Sequence, residues 1–158
     1  MRFLSSWRAK VDEAGLGLLL LRLWVGMEFL RAGWVKLGGG WQAPQWFREL
    51  SFPWPQSWLA ADFNWVAAGG LEIVFGLALI LGVGVRWASA VLLYVVYVAV
   101  AAVHFDLGWA GWNQIETEDG QGFKVPLMLA LMLLVLLTQG GGRYGLGRLC
   151  CARCKRNG

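Results

Sequence analysis

His104 is the only histidine in 158 residues, and the three cysteines, Cys150, Cys151 and Cys154, lie together near the C-terminus. A haem held by a histidine pair and an iron–sulfur cluster held by spaced cysteines are therefore excluded. No glycine loop follows a strand in the manner of a nucleotide site. Charge is scarce too, at 15% of residues against 58% hydrophobic, with a mean hydropathy of +0.52. That is too apolar for a soluble domain of this size and reads as an integral membrane protein.

Glycine and tryptophan are abundant, at 22 and 11 residues. Glycine lets bilayer helices approach closely, and tryptophan anchors at the headgroup level. Four segments suit a hydrocarbon layer about 30 Å thick, near residues 14–37, 65–83, 87–105 and 124–139. Pro126 falls in the first turn of the last, where a missing N–H is tolerated. The expected fold is all-α: a polytopic four-transmembrane-helix bundle forming one integral membrane domain over residues 1–158, with a basic tail at 140–158. Arg22 interrupts the first Leu-rich run and no small-residue cleavage pattern follows it, so an uncleaved first span is expected.

Lysine and arginine are unevenly divided by this topology. Arg2, Arg8, Lys10, Arg86, Arg143, Arg148, Arg153, Lys155 and Arg156 fall on one side; Lys36, Arg48 and Lys124 fall on the other. The positive-inside rule then places both termini in the cytoplasm and the two longer loops outside. The net charge of +4 is explained by topology and contact with anionic lipid, without nucleic acid. On the reducing side the clustered cysteines read as free thiols, with metal binding or acylation the alternatives.

The loop at 38–64 begins with three glycines, holds Trp41, Trp46, Phe47, Phe52, Trp54 and Trp58, and is broken by Pro44, Pro53 and Pro55. It is too aromatic for water and too interrupted to span. It reads as an interfacial anchor or as a lid over a site. The loop at 106–123 carries Asp106, Glu116, Glu118 and Asp119, whose spacing matches no EF-hand, and no metal site is expected there. Glu118-Asp119-Gly120 reads as a turn.

Ionisable residues within a span are functional candidates, because each is costly unless paired or hydrated. The first span has Arg22, Glu28, Arg31 and Lys36. At 100° per residue, Gly15, Arg22, Gly26 and Gly33 share one face with Lys36 beside them. In the second span Gly69, Glu72 and Gly76 share a face, a packing strip with one carboxylate in it. Arg22 is the favoured partner of Glu72, as a structural or a functional pair, with Arg31 the alternative. Arg31 otherwise pairs with Glu28 at i,i+3 or snorkels outward. Lys36 belongs at the outer mouth. Tyr94, Tyr97, Ala101 and His104 line one side of the third span, and His104 either exchanges protons and hydrogen bonds or caps the helix.

These residues resemble the DoxX/DoxD family of small four-helix membrane proteins. The similar pieces are Leu21-Arg22-Leu23 with Gly26, residues 29–37 as FLRAGWVKL, Leu71-Glu72 with Gly76, Leu77 to Gly82 and Arg86. His104 at the end of the third span and Gly142-Arg143-Tyr144-Gly145-Leu146 after the fourth complete the likeness. Trp46-Phe47, Phe52-Pro53 and His104 with Gly108-Trp109 are similar to the DoxX-type subunits that accompany copper-responsive modified-peptide gene clusters, often termed HvfX. The resemblance implies a subunit of a bacterial inner membrane system in which thiosulfate, sulfur or thiol oxidation passes electrons to quinone. A partner subunit is implied, and a homo-oligomer is compatible. The expected chemistry rests on Glu72, His104 and Arg22, with Lys36, Tyr97, Trp46 and Trp109 binding the quinone. A self-contained oxidoreductase is not expected. The alternative is a non-catalytic anchor or assembly factor for a soluble redox or peptide-modifying enzyme.

Overall fold

The computed structural model describes residues 15–146. The three cysteines, the cationic residues before Gly15 and those after Leu146 lie outside the described residues, so the readings placed on them stand as sequence expectations. Four long helices carry the fold: α1 (Leu16–Gly38), α3 (Ala61–Leu81), α4 (Val85–Val103) and α5 (Lys124–Gln139). A short helix, α2 (Gln45–Arg48), and a 3₁₀ turn (Gln56–Trp58) lie in the first loop. The last loop holds a second 3₁₀ segment (Gly108–Asn113) and a hairpin of two-residue strands, β1 (Glu116–Thr117) and β2 (Gly120–Gln121). Glu118 and Asp119 form its turn, as their sequence predicts.

By length and apolarity α3 and α4 are able to cross a membrane. α1 is as long, with 23 residues, but it carries four ionisable side chains. α5 has 16 residues and spans about 24 Å at 1.5 Å per residue. Pro126 lies in its first turn and is buried there, where no helical N–H is lost. Gly82, at φ 71°, ends α3 in the left-handed region, with the Val83 N–H donating to Ala78 O. Such a turn reverses the chain within a few residues and starts α4 at Val85, two positions earlier than the apolar run alone suggests.

α1 packs most extensively on α3, and α4 on α5, with α3 against α4 closing the bundle. The α1–α3 contact is made by glycine, as the shared helix faces predict. A Cβ on Gly33 would lie 2.5 Å from Gly69 O, and one on Gly26 would lie 2.7 Å from Gly76 O. Only hydrogen fits there. Val25, Phe29, Leu79, Ala88, Leu92, Val96, Leu133 and Leu136 form the core between the four helices. A smaller cluster of Ala43, Phe47 and Trp65 fixes the aromatic loop to the start of α3.

Candidate functional site

The ionisable residues of α1 separate by height. A Cβ on Gly33 would stand 3.0 Å from Glu72 Cβ, so Glu72 is level with Gly33. Lys36 is then about 4.5 Å further along α1, and Arg22 roughly 16 Å the other way. Side chains lean toward the N-terminus of their own helix. In this antiparallel pair Lys36 leans toward Glu72, Glu72 leans toward Lys36, and Arg22 leans away. Lys36 Nζ accordingly donates to both Glu72 carboxylate oxygens, at 2.8 and 2.7 Å.

The expected Arg22–Glu72 pair is therefore not formed. Arg22 is buried at the opposite end of the bundle, donating to Gly141 O at 3.2 Å and Tyr144 O at 2.7 Å. It clips the glycine-rich turn after α5 to α1. Arg31 does not reach Glu72 either. Glu28 and Arg31 are both exposed, and among the described residues no ion pair joins them.

A cavity of about 240 Å³ opens beside the Lys36–Glu72 pair. α3 supplies Asn64, Ala67, Ala68, Leu71 and Glu72, at spacings that put them on one face. α4 supplies Tyr94, Val95, Val98, Ala99, Ala102 and Val103, with His104 just past its end. The aromatic loop supplies Trp46, Phe47, Phe52 and Gln56, so it forms the cavity's roof. The roof is fastened. Arg48 and the Ala43 N–H both donate to Asp62 Oδ1, at 2.9 and 2.8 Å. Asn64 Nδ2 donates to the Gln56 carbonyl at 3.0 Å, and the Gln56 amide reaches the Tyr94 hydroxyl.

Charge within this cavity is confined to one wall. The Glu72 side chain is 7% exposed and Lys36 26%. Two ammonium N–H groups serve the carboxylate, which leaves the third for a ligand acceptor. Among the described residues, the buried Nδ1 of His104 has no hydrogen-bond partner. Burial pushes its pKa below the ordinary 6.5, against the opposing influence of the Gly122 carbonyl and Asp106.

Four of the seven residues expected at the site, Lys36, Trp46, Glu72 and His104, meet around this cavity. Three do not. Arg22 is at the far end, bound to backbone carbonyls. Tyr97 is 55% exposed and stacks on Tyr94 from outside, because three residues on a helix rotate it by 300°. Trp109 is 80% exposed and packs edge-on against Phe105 and Phe123. Gln56 and Asn64 went unpredicted. Asn64 shares a helix face with Ala68 and Glu72 at i, i+4 and i+8, a signal present in the sequence; Gln56 has no such marker.

Residues 17–105, which carry the Lys36–Glu72 pair and every helical wall of the cavity, match the sequence model of DoxX. The chain belongs to the DoxX family. A protein of Haemophilus influenzae, described as uncharacterized, is 36% identical over 138 residues, covering 86% of this chain and 84% of its own length. No solved structure matches. As a DoxX protein the chain is a membrane protein, and its exposed apolar helix faces, including Val35, Val74, Leu77 and Leu131, are suited to lipid.

Proposed function

We propose that this DoxX protein is the quinone-binding membrane subunit of a redox system in the bacterial inner membrane, with both termini cytoplasmic and the cavity toward the outer face. The observation that carries this reading is one charged N–H, from Lys36, presented by an ion pair inside a mainly apolar cavity. At about 240 Å³ the cavity exceeds the roughly 150 Å³ that holds a benzene, so a single substituted ring fits.

A bound quinone supplies the acceptor for two electrons and two protons. The electrons come from a redox centre on a partner protein, since the sequence has no haem-ligating histidine pair and no iron–sulfur cysteine pattern. Lys36 donates to a ring oxygen and stabilises negative charge growing there, an interaction strengthened by the low-dielectric walls. Glu72 holds the ammonium in place through both carboxylate oxygens. His104 exchanges a proton at the roof end of the cavity, where burial favours its neutral, proton-accepting form.

The test is ring binding by purified protein in nanodiscs, read by quenching of tryptophan fluorescence, for which Trp46 is placed on the cavity wall. Saturable quenching that weakens at least about tenfold, or 1.4 kcal/mol, in Lys36→Met is expected. Absence of saturable quenching in the wild-type protein refutes the reading. A partner enzyme whose activity survives both Glu72→Gln and His104→Ala points instead to a non-catalytic anchor.

A further inference from the structure

Access to the cavity differs from side to side. Toward the loop end the roof is tied to α3 through Asp62, Arg48 and the Ala43 N–H, and its rings pack on Trp65. The flank is different. Exposed Phe63, Val74 and Leu77 mark the outward face of α3, and buried Gly69, Glu72 and Gly76 its inward face. At 100° per residue, Leu71 falls between the two faces and Ala67 at the edge of the outward one, about 20° from Val74. On α4, Val98 falls between exposed Tyr94 and Tyr97 and buried Leu92 and Val96 in the same way. α5 supplies no residue to the lining. The cavity is therefore not on the bundle axis: it is a recess in the α3–α4 seam, beside the apolar faces turned to lipid.

Its size sets a second constraint. About 240 Å³ admits a ring but not a long chain attached to it. Any chain must lie outside the cavity, and the seam is the apolar surface continuous with it. Resting on the ring-binding reading above, we propose that the ligand is a ring bearing a long hydrocarbon tail, which enters from the bilayer between Ala67, Leu71 and Val98 and leaves its tail in that seam. The methyl of Ala67 keeps the passage open. A large side chain there closes the tail's path and only narrows the space left to the ring.

The experiment compares decylubiquinone with a tailless dimethoxy-methyl-benzoquinone on nanodisc-embedded protein by tryptophan quenching. Ala67→Phe adds bulk to the cavity wall and is expected to weaken both probes, the tailed one at least about tenfold more than the tailless one. Val98→Phe serves as an independent variant from the other wall, should Ala67→Phe fold poorly by thermal melting. Leu77→Phe, on the lipid face away from the seam, is expected to change neither affinity. If both probes bind the wild-type protein and the seam variants weaken neither, or weaken both equally, lateral entry is overturned while ring binding stands. If neither probe binds the wild-type protein, the ring-binding reading fails and the tail proposal with it.

Discussion

Removing Lys36 and removing Glu72 should not cost the same, although the two side chains make one ion pair. Breaking a buried pair costs about 3–5 kcal/mol, because the remaining charge is left desolvated and alone. The side-chain exposures are 26% for Lys36 and 7% for Glu72. Lys36→Met strands the more deeply buried charge and should cost about 3 kcal/mol or more. Glu72→Leu strands an ammonium that solvent partly reaches, for roughly half that cost. At about 2–4 °C per kcal/mol for a chain of this length, Lys36→Met should lower the melting temperature by roughly 6–12 °C. The double variant should recover most of that loss, since an apolar replacement of both partners is often nearly neutral. The assay is a double-mutant cycle by thermal unfolding in one detergent, with Arg22→Met and Glu72→Leu as a parallel cycle. Arg22 lies roughly 16 Å from the level of Glu72, so its cycle should be additive within about 0.5 kcal/mol. Additivity in the Lys36 cycle, or coupling in the Arg22 cycle, refutes the assignment of Lys36 as the partner of Glu72.

Gly33→Ala should lower the melting temperature, by an overpacking cost of about 1–3 kcal/mol, because its Cβ would stand 2.5 Å from Gly69 O. Gly70→Ala, where a Cβ meets nothing within 4 Å, should melt at or above the wild-type temperature. Arg22→Ala should sensitise residues 140–145 to limited proteolysis, as two charge-assisted bonds of about 1.5–3 kcal/mol each are lost. Arg22→Lys should not restore protection, since one ammonium cannot reproduce the two-nitrogen grip on Gly141 and Tyr144. His104 binds its proton less readily when folded than when unfolded, so the stability it contributes is complete above its ordinary 6.5 and is lost as pH falls from there toward its lowered folded value. Wild-type protein should therefore lose more thermal stability than His104→Gln between pH 7.5 and about pH 5; equal losses would remove His104 as the cause.

The aromatic roof shows how far local pattern reaches. Proline and tryptophan in the first loop exclude both a span and a free coil, and leave an anchor or a lid. Packing of Phe47 on Trp65 at 5.0 Å and the bonds to Asp62 bring Trp46, Phe47, Phe52 and Gln56 over the cavity. Those contacts join residues 14 to 19 positions apart along the chain, and no periodicity encodes them.

The helix faces were a different matter. Periodicity at 100° per residue, with the glycines as markers, was sufficient to put Gly26 and Gly33 on one face of α1 and Gly69 and Gly76 on one face of α3. It also put Arg22 and Glu72 on the faces that are buried, because burial side depends only on angle. Height and lean do not follow from angle. The vertical register of α1 on α3 is set by which glycine admits which carbonyl, and the lean of each side chain by the direction of its helix. Those two tertiary facts gave Glu72 to Lys36 and sent Arg22 to the turn at Gly141 and Tyr144. The sequence by itself determined the membrane class, the helices and their buried faces; only the packed structure decided the charge pairing and the cavity, because both depend on distances between helices that the chain does not connect locally.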